Sequence, residues 1–137
     1  MIDQAFEEHL EDRTIVSKRW GHEEWLINND KYCAKFLWIL PGYQCSLHYH
    51  PIKKESFCCL DGLVRVEYYI DGGKKRMDTI LVGWRRDVLT LPPNTPHRFW
   101  SIGTDGGLLL EVSTTHDNAD VIRIEESRAI GGEEVEL

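Results

Sequence analysis

The chain contains no apolar run near the roughly 20 residues that a membrane-spanning helix needs. Its first residues lack the basic-then-apolar pattern of a secretory signal and carry Asp3, Glu7, Glu8, Glu11 and Asp12 instead. Positive charge is scarce: 16 Lys and Arg stand against 23 Asp and Glu, a formal charge of −7 that offers no basic field to a nucleic-acid backbone. Cys33, Cys45, Cys58 and Cys59 form no CxxC pair, which argues against a zinc ribbon or a redox motif, and the adjacent Cys58 and Cys59 are poorly placed to bridge. These absences predict a soluble cytoplasmic protein with reduced, buried thiols and with neither nucleic acid nor membrane as partner. A glycine-rich phosphate loop, an internal repeat and a sustained 3.6-residue apolar period are missing too.

What is present fits one β-rich domain. With 137 residues, 42% of them hydrophobic and 28% charged, the chain builds a single core. Short strand-like runs at 15–16, 25–27, 32–40, 45–50, 56–60, 63–70, 77–82, 88–91, 98–102 and 108–113 alternate with turn chemistry such as Pro41-Gly42, Asp61-Gly62 and Asp71-Gly72-Gly73. Strands this short and evenly spaced predict a sandwich or small barrel. Residues 1–13 are expected as an N-terminal extension, with Ile2, Ala5, Phe6 and Leu10 on one side of a short helix. Residues 14–130 are expected as the domain and 131–137 as an acidic frayed tail.

Six histidines are distributed unevenly. His48 and His50 stand two apart in a strand-like segment, so both imidazoles share a face. Glu55 follows across a short loop, and His97 comes just after the rigid bend Pro92-Pro93-Asn94-Thr95-Pro96. Three imidazoles and one carboxylate suit a divalent first-row ion with open positions. By the same alternation Gln44 and Ser46 point inward with the histidines, while Cys45, Leu47 and Tyr49 point outward. An apolar outer face needs cover, and a homodimer would supply it. His9 and His22 have no partner in this pattern and read as surface residues.

The spacing Gly42, His48, His50, Glu55, Gly62 resembles the first motif of the cupin superfamily. Asp87, Pro92, Asn94 and His97 resemble the second, with Arg86 and Asn94 standing where glycines are usual and Ser101 where an asparagine is usual. The resemblance implies an all-β jelly-roll barrel, the cupin double-stranded β-helix, holding one divalent ion (Mn, Zn, Co, Ni or Fe) on His48, His50, Glu55 and His97. Inside such a barrel, Glu111, which interrupts the apolar run 108–112, is a paired group, an exposed one, or a functional carboxylate with a raised pKa. Lys53 projects near the mouth of the metal site or, with Lys54, solubilises a loop.

Three segments are similar to the cupin sugar isomerases: 18–25 (KRWGHEEW), 46–50 (SLHYH), and 111–125 from Glu111-Val112-Ser113 to Ile124-Glu125. This second resemblance implies a metal-dependent aldose–ketose isomerase acting on a small free or phosphorylated sugar, of the D-lyxose or phosphomannose type. In that chemistry the metal is a Lewis acid, with either Glu111 as the carbon base and Lys53 as a proton donor at oxygen, or a metal-assisted hydride shift that needs no carbon base. Arg123 and Lys18 then bind hydroxyls or a phosphate, His116 either ends the last barrel strand or touches substrate, and the tryptophans are core or dimer aromatics, Trp20 being the one placed to stack on a sugar if any does. Two other readings use the same ligands: a non-catalytic sugar-binding cupin, which needs no base at Glu111, and a dioxygenase holding iron or copper.

Overall fold

Period-two alternation organises the molecule. Every second residue is buried along Cys33, Lys35, Leu37 and Ile39, and again along Glu55, Phe57 and Cys59. The computed structural model describes residues 9–130. In chain order its strands are β1 (Thr14–Lys18), β2 (Gly21–Asn28), β3 (Cys33–Ile39), β4 (Tyr43–Gln44), β5 (Leu47–Tyr49), β6 (Glu55–Asp61) and β7 (Leu63–Ile70). They continue with β8 (Lys75–Val82), β9 (Val88–Leu91), β10 (His97–Ser101), β11 (Gly107–Ser113), β12 (Ile122–Glu125) and β13 (Arg128–Ala129). A six-stranded sheet runs β1-β2-β3-β11-β6-β9 and faces a seven-stranded sheet in which β10 is paired by β4, β5 and β7.

The described residues hold no α-helix, only a 3-10 turn at Gly83–Arg85, and none of them forms a helix long and apolar enough to cross a membrane. Most of the expected N-terminal helix, residues 1–8, and all of the tail, 131–137, lie outside the described residues. Positions 9–13, within the expected extension, are not helical.

The run expected as one strand over 45–50 is divided. Trp100 pairs with Gln44 and His97 with His48, so three steps along β10 face four along β4 and β5. That extra residue is a bulge, and it resets the alternation. Cys45, expected outside, turns into the core at 3% exposure, and Leu47 is buried as well.

Glycine at 62 is required by its surroundings. Its φ is +77°, and a Cβ there would sit 2.5 Å from the Gly106 carbonyl oxygen. Arg86 and Asn94, which occupy usual glycine positions, take the same left-handed region at φ 56° and 62°. The Arg86 guanidinium donates to the Leu60 and Gly83 carbonyls, contacts that offset its backbone strain.

Leu37, Leu109 and Cys59 face one another across β3, β11 and β6, with Val64, Val66 and Phe99 opposite them in the core cluster. Each large apolar side chain buried here contributes about 1.5–3 kcal/mol. The neighbouring cross-strand row is Lys35, Glu111 and Phe57, where the interior becomes polar.

Candidate metal centre and polar cavity

β5 and β10 bring His48 and His97 directly opposite one another, and His50 follows just past the end of β5. Ring centroids are 4.6 Å apart for His48 and His97, 5.0 Å for His48 and His50, and 5.8 Å for His50 and His97. Each ring is oriented by a backbone carbonyl: Nδ1 of His48 donates to Ser46 O (2.9 Å), of His50 to Asp120 O (2.7 Å) and of His97 to Thr95 O (2.8 Å). A carbonyl only accepts, so the hydrogen sits on Nδ1, and a neutral ring then turns the lone pair of Nε2 away from that carbonyl. One nitrogen of each ring lies within 4.8 Å of the others.

Glu55 opens β6 at the edge of this cluster, with Oε1 2.7 Å from His97 Nε2 and Oε2 3.4 Å from His50 Nε2. Both oxygens are buried and neither accepts a hydrogen bond of proper geometry. Lone pairs facing lone pairs at a buried site repel one another, and a cation among them removes the repulsion. The separations are close to the roughly 3–3.4 Å expected between neighbouring ligands that each sit about 2.1 Å from an octahedral or tetrahedral metal. The three histidines form a cluster that suits a divalent first-row ion, with the Glu55 carboxylate at its edge. Burial pushes His50 down to about 4 and His48 well below its ordinary value, so both rings are neutral near pH 7. Burial acts the same way on His97, but the Glu55 carboxylate outweighs it and holds His97 above its ordinary value. A proton on Nε2 of His97 and a metal ion compete for one lone pair.

Beside this cluster the Lys53 ammonium lies 3.1 Å from Glu111 Oε2, 3.1 Å from His116 Nδ1 and 3.4 Å from Glu55 Oε2. Asp120 holds the loop that carries Lys53: its carboxylate accepts from Ile52 N and Lys53 N, both at 2.8 Å, while its carbonyl orients His50. Burial first, and the Glu55 charge second, raise the Glu111 carboxyl above its ordinary value. Burial opposes the charge on Lys53, but the two carboxylates prevail and raise it. The result is a fixed cation beside an unusually basic carboxylate, on the wall of a cavity of about 560 Å³.

Among solved structures, the chain superposes on the capsular polysaccharide assembling protein CapF from Staphylococcus aureus with a TM-score of 0.71, at 13% identity, covering 92% of this chain and 34% of that one. It superposes on oxalate decarboxylase from Bacillus subtilis with a TM-score of 0.72, at 16% identity, covering 82% of this chain and 30% of that one. The chain has the cupin fold. In sequence this cupin is related to D-lyxose ketol-isomerases. It is 32% identical over 113 residues to the D-lyxose/D-mannose isomerase of Thermosediminibacter oceani, covering 67% of this chain and 61% of that one. It is 34% identical over 112 residues to the D-lyxose ketol-isomerase of a Thermofilum species, covering 64% and 59%. A further match, 26% over 115 residues, is to mannose-1-phosphate guanylyltransferase of Sinorhizobium fredii, covering 80% of this chain and 20% of that one. The cupin chain thus spans about three fifths of the length of the isomerase relatives it matches. No protein-family model matches it.

The cavity of this cupin is lined by every residue singled out in the sequence: His48, His50, Glu55, His97, Glu111, Lys53, Lys18, Trp20, Arg123 and His116. Lys18 and the exposed Arg123 border it, and His116 is tied by Nε2 to Asn118. Trp20 is buried, edge-on to Phe99 at 5.1 Å between ring centroids, so it belongs to the core as well as to the cavity wall. His22, read as a surface residue, stacks on Trp38. Sequence reasoning missed Glu23, Lys35 and Asp120. Lys35 carried a usable signal, because it shares the inward parity of Cys33, Leu37 and Ile39. Asp120 carried none, since its partner His50 is 70 positions away.

Proposed function

We propose that this cupin is a metal-dependent aldose–ketose isomerase acting on a small sugar, free or phosphorylated, of the D-lyxose/D-mannose type. The observation that carries the reading is the buried Glu111 held against Lys53 next to three converging imidazoles and a carboxylate without a hydrogen-bond partner. A divalent ion on His48, His50, His97 and Glu55 would supply Lewis-acid polarisation of the sugar carbonyl. Glu111 takes the proton from the carbon next to that carbonyl and returns it to the neighbouring carbon. Lys53 donates to the oxygen on which negative charge develops, and His116 steadies Lys53. Lys18 and Arg123 bind hydroxyls or a phosphate at the rim, and Trp20 offers an apolar wall to the sugar. The relationship to D-lyxose ketol-isomerases supports the substrate class.

The test is proton NMR in deuterated water on protein stripped with chelator and reloaded singly with manganese, cobalt, zinc, nickel or iron, offered free and phosphorylated aldoses. Ketose with deuterium at the migrating carbon is the expected outcome, and Glu111→Gln should lower kcat by about 10²–10⁴-fold with metal content unchanged. Ketose without deuterium would replace the base role of Glu111 by a hydride shift. Unchanged sugars with every metal would overturn the isomerase reading. A second reading, a non-catalytic sugar-binding module, is favoured by the match to one fifth of the guanylyltransferase. Sugar binding that survives in Glu111→Gln, with no turnover by either form, would establish it.

A homodimer is part of the proposal. The outer face of the six-stranded sheet exposes Ile15, Trp38, Val88 and Val112, and a second copy would cover it. Sedimentation velocity on the wild type and on Trp38→Glu tests this. The four unpaired cysteines support a cytoplasmic setting.

A further inference from the structure

Lys35 and Glu23 line the same cavity, and their hydrogen-bond and ion-pair partners are Trp25 and each other rather than the histidine cluster or the Lys53–Glu111 pair. Lys35 is among the most deeply buried side chains of the described residues, at 2% exposure. Its ammonium lies 4.2 Å from the centre of the Trp25 ring, and its ion-pair partner, Glu23 Oε1, is 3.5 Å away, too far for a good hydrogen bond. That same oxygen already accepts from Trp25 Nε1 at 2.8 Å. An ammonium at this depth, held by one long ion pair and a ring face, has donors left for an acceptor in the cavity.

The position is informative. Lys35 faces Glu111 directly across β3 and β11, and Glu23 and Trp25 stand on the adjoining strand β2, in the sheet opposite the one that carries His48 and His97. Burial works against the Glu23 charge, but Lys35 and the Trp25 hydrogen bond keep its carboxyl below the ordinary value, so it is an anion. A phosphate or carboxylate that reached Lys35 would meet that anion and be repelled. A hydroxyl suits both groups, accepting from the ammonium and donating to the carboxylate.

We propose that Lys35 and Glu23, braced by Trp25, form a subsite for a hydroxyl of a neutral polyol, and that this subsite selects the sugar at a carbon beyond those that react. The proposal rests on the reading of the cavity as a sugar site and assigns its uncharged end. Pentitols and hexitols such as arabinitol and mannitol are suitable probes, because they keep the hydroxyls but have no carbonyl to isomerise.

Calorimetry and saturation-transfer NMR on the metal-loaded protein should show alditol binding, weakened about tenfold or more in both Lys35→Met and Glu23→Gln, the range of one charge-assisted hydrogen bond. Metal affinity should not change. With a substrate that is turned over, the same variants should raise KM more than they lower kcat. Glu23→Gln keeps the shape and the acceptor for Trp25, so it decides the matter if Lys35→Met fails to fold. Alditol affinity within twofold of wild type in both variants would mean that water alone fills the pair, and would overturn the subsite; so would a wild type that binds no alditol. Lys35-dependent alditol binding without turnover of any sugar would uphold the subsite while removing the isomerase. Turnover with unchanged KM in both variants would do the reverse.

Discussion

Leu37, Leu109 and Cys59 form one cross-strand row of the barrel interior, and Lys35, Glu111 and Phe57 form the next. The two rows lie two residues apart on the same strands, yet the first is packed within the apolar core, with Leu37 alone reaching the cavity, while the second sets Lys35 and Glu111 on the wall of a cavity of about 560 Å³ and Phe57 at its boundary with the core. Stability is concentrated in the first region, where apolar area leaves water, and chemistry in the second, where charges are held close to one another and to space that a ligand can enter. The packed half also serves the polar half. By fixing β3, β6, β10 and β11 it sets where Lys35, Glu55, His97 and Glu111 converge.

That division can be broken from either side. The largest effect on stability is expected from Leu109→Ala in the packed half, about 2–5 kcal/mol in a urea unfolding curve, with metal stoichiometry of the folded fraction unchanged. A loss below about 1 kcal/mol would show that this half is not where stability resides. In the polar half, His97→Ala should reduce affinity for manganese, cobalt or zinc by more than the roughly 10–100-fold typical of outer-shell changes, while costing the metal-free fold less than Leu109→Ala. Equal metal affinity in this variant, read by calorimetry, would remove His97 from the site.

A smaller effect sharpens the contrast between two kinds of buried carboxylate. Glu67 sits on the outer face of β7, buried, and accepts hydrogen bonds from Tyr69 (2.7 Å) and Arg76 (2.9 Å), with Arg98 at 3.3 Å. Burial opposes its charge, but those partners outweigh it and hold its carboxyl below the ordinary value. A carboxyl depressed in the folded state stabilises the fold above the ordinary value of 4.5 and loses that contribution as pH falls through the depressed one. Wild type and Glu67→Gln should therefore differ in melting temperature at neutral pH and converge in acid. A constant gap would contradict the pairing. The smallest effect is expected at Ser101, whose buried hydroxyl has no hydrogen-bond partner. Ser101→Ala should leave stability unchanged or raise it by up to about 1 kcal/mol, measured by the same unfolding curves.

Much of the histidine cluster is legible in the sequence, because its residues obey local rules. Two histidines two apart on a strand share a face, a carboxylate after a short loop returns beside them, and a proline-rich bend presents His97. The bulge at Cys45 and Ser46 was not legible, since an extra residue shows only when the partner strand is counted against it. Strand β13 escaped as well: two residues carry no period, and pairing with β4 defines it.

By itself the amino-acid order determined the β architecture, the inward face of most strands, and the side chains able to bind a metal, because alternation and turn chemistry act over a few residues. Only the tertiary structure decided which donors are idle and which charges are paired. Asp120 reaches His50 across 70 positions, Lys53 meets Glu111 across 58, and Lys35 faces Glu111 across two strands far apart in the chain. Those relations come from how the sheets close on one another, and closure is driven by the burial of apolar side chains that take no part in the chemistry.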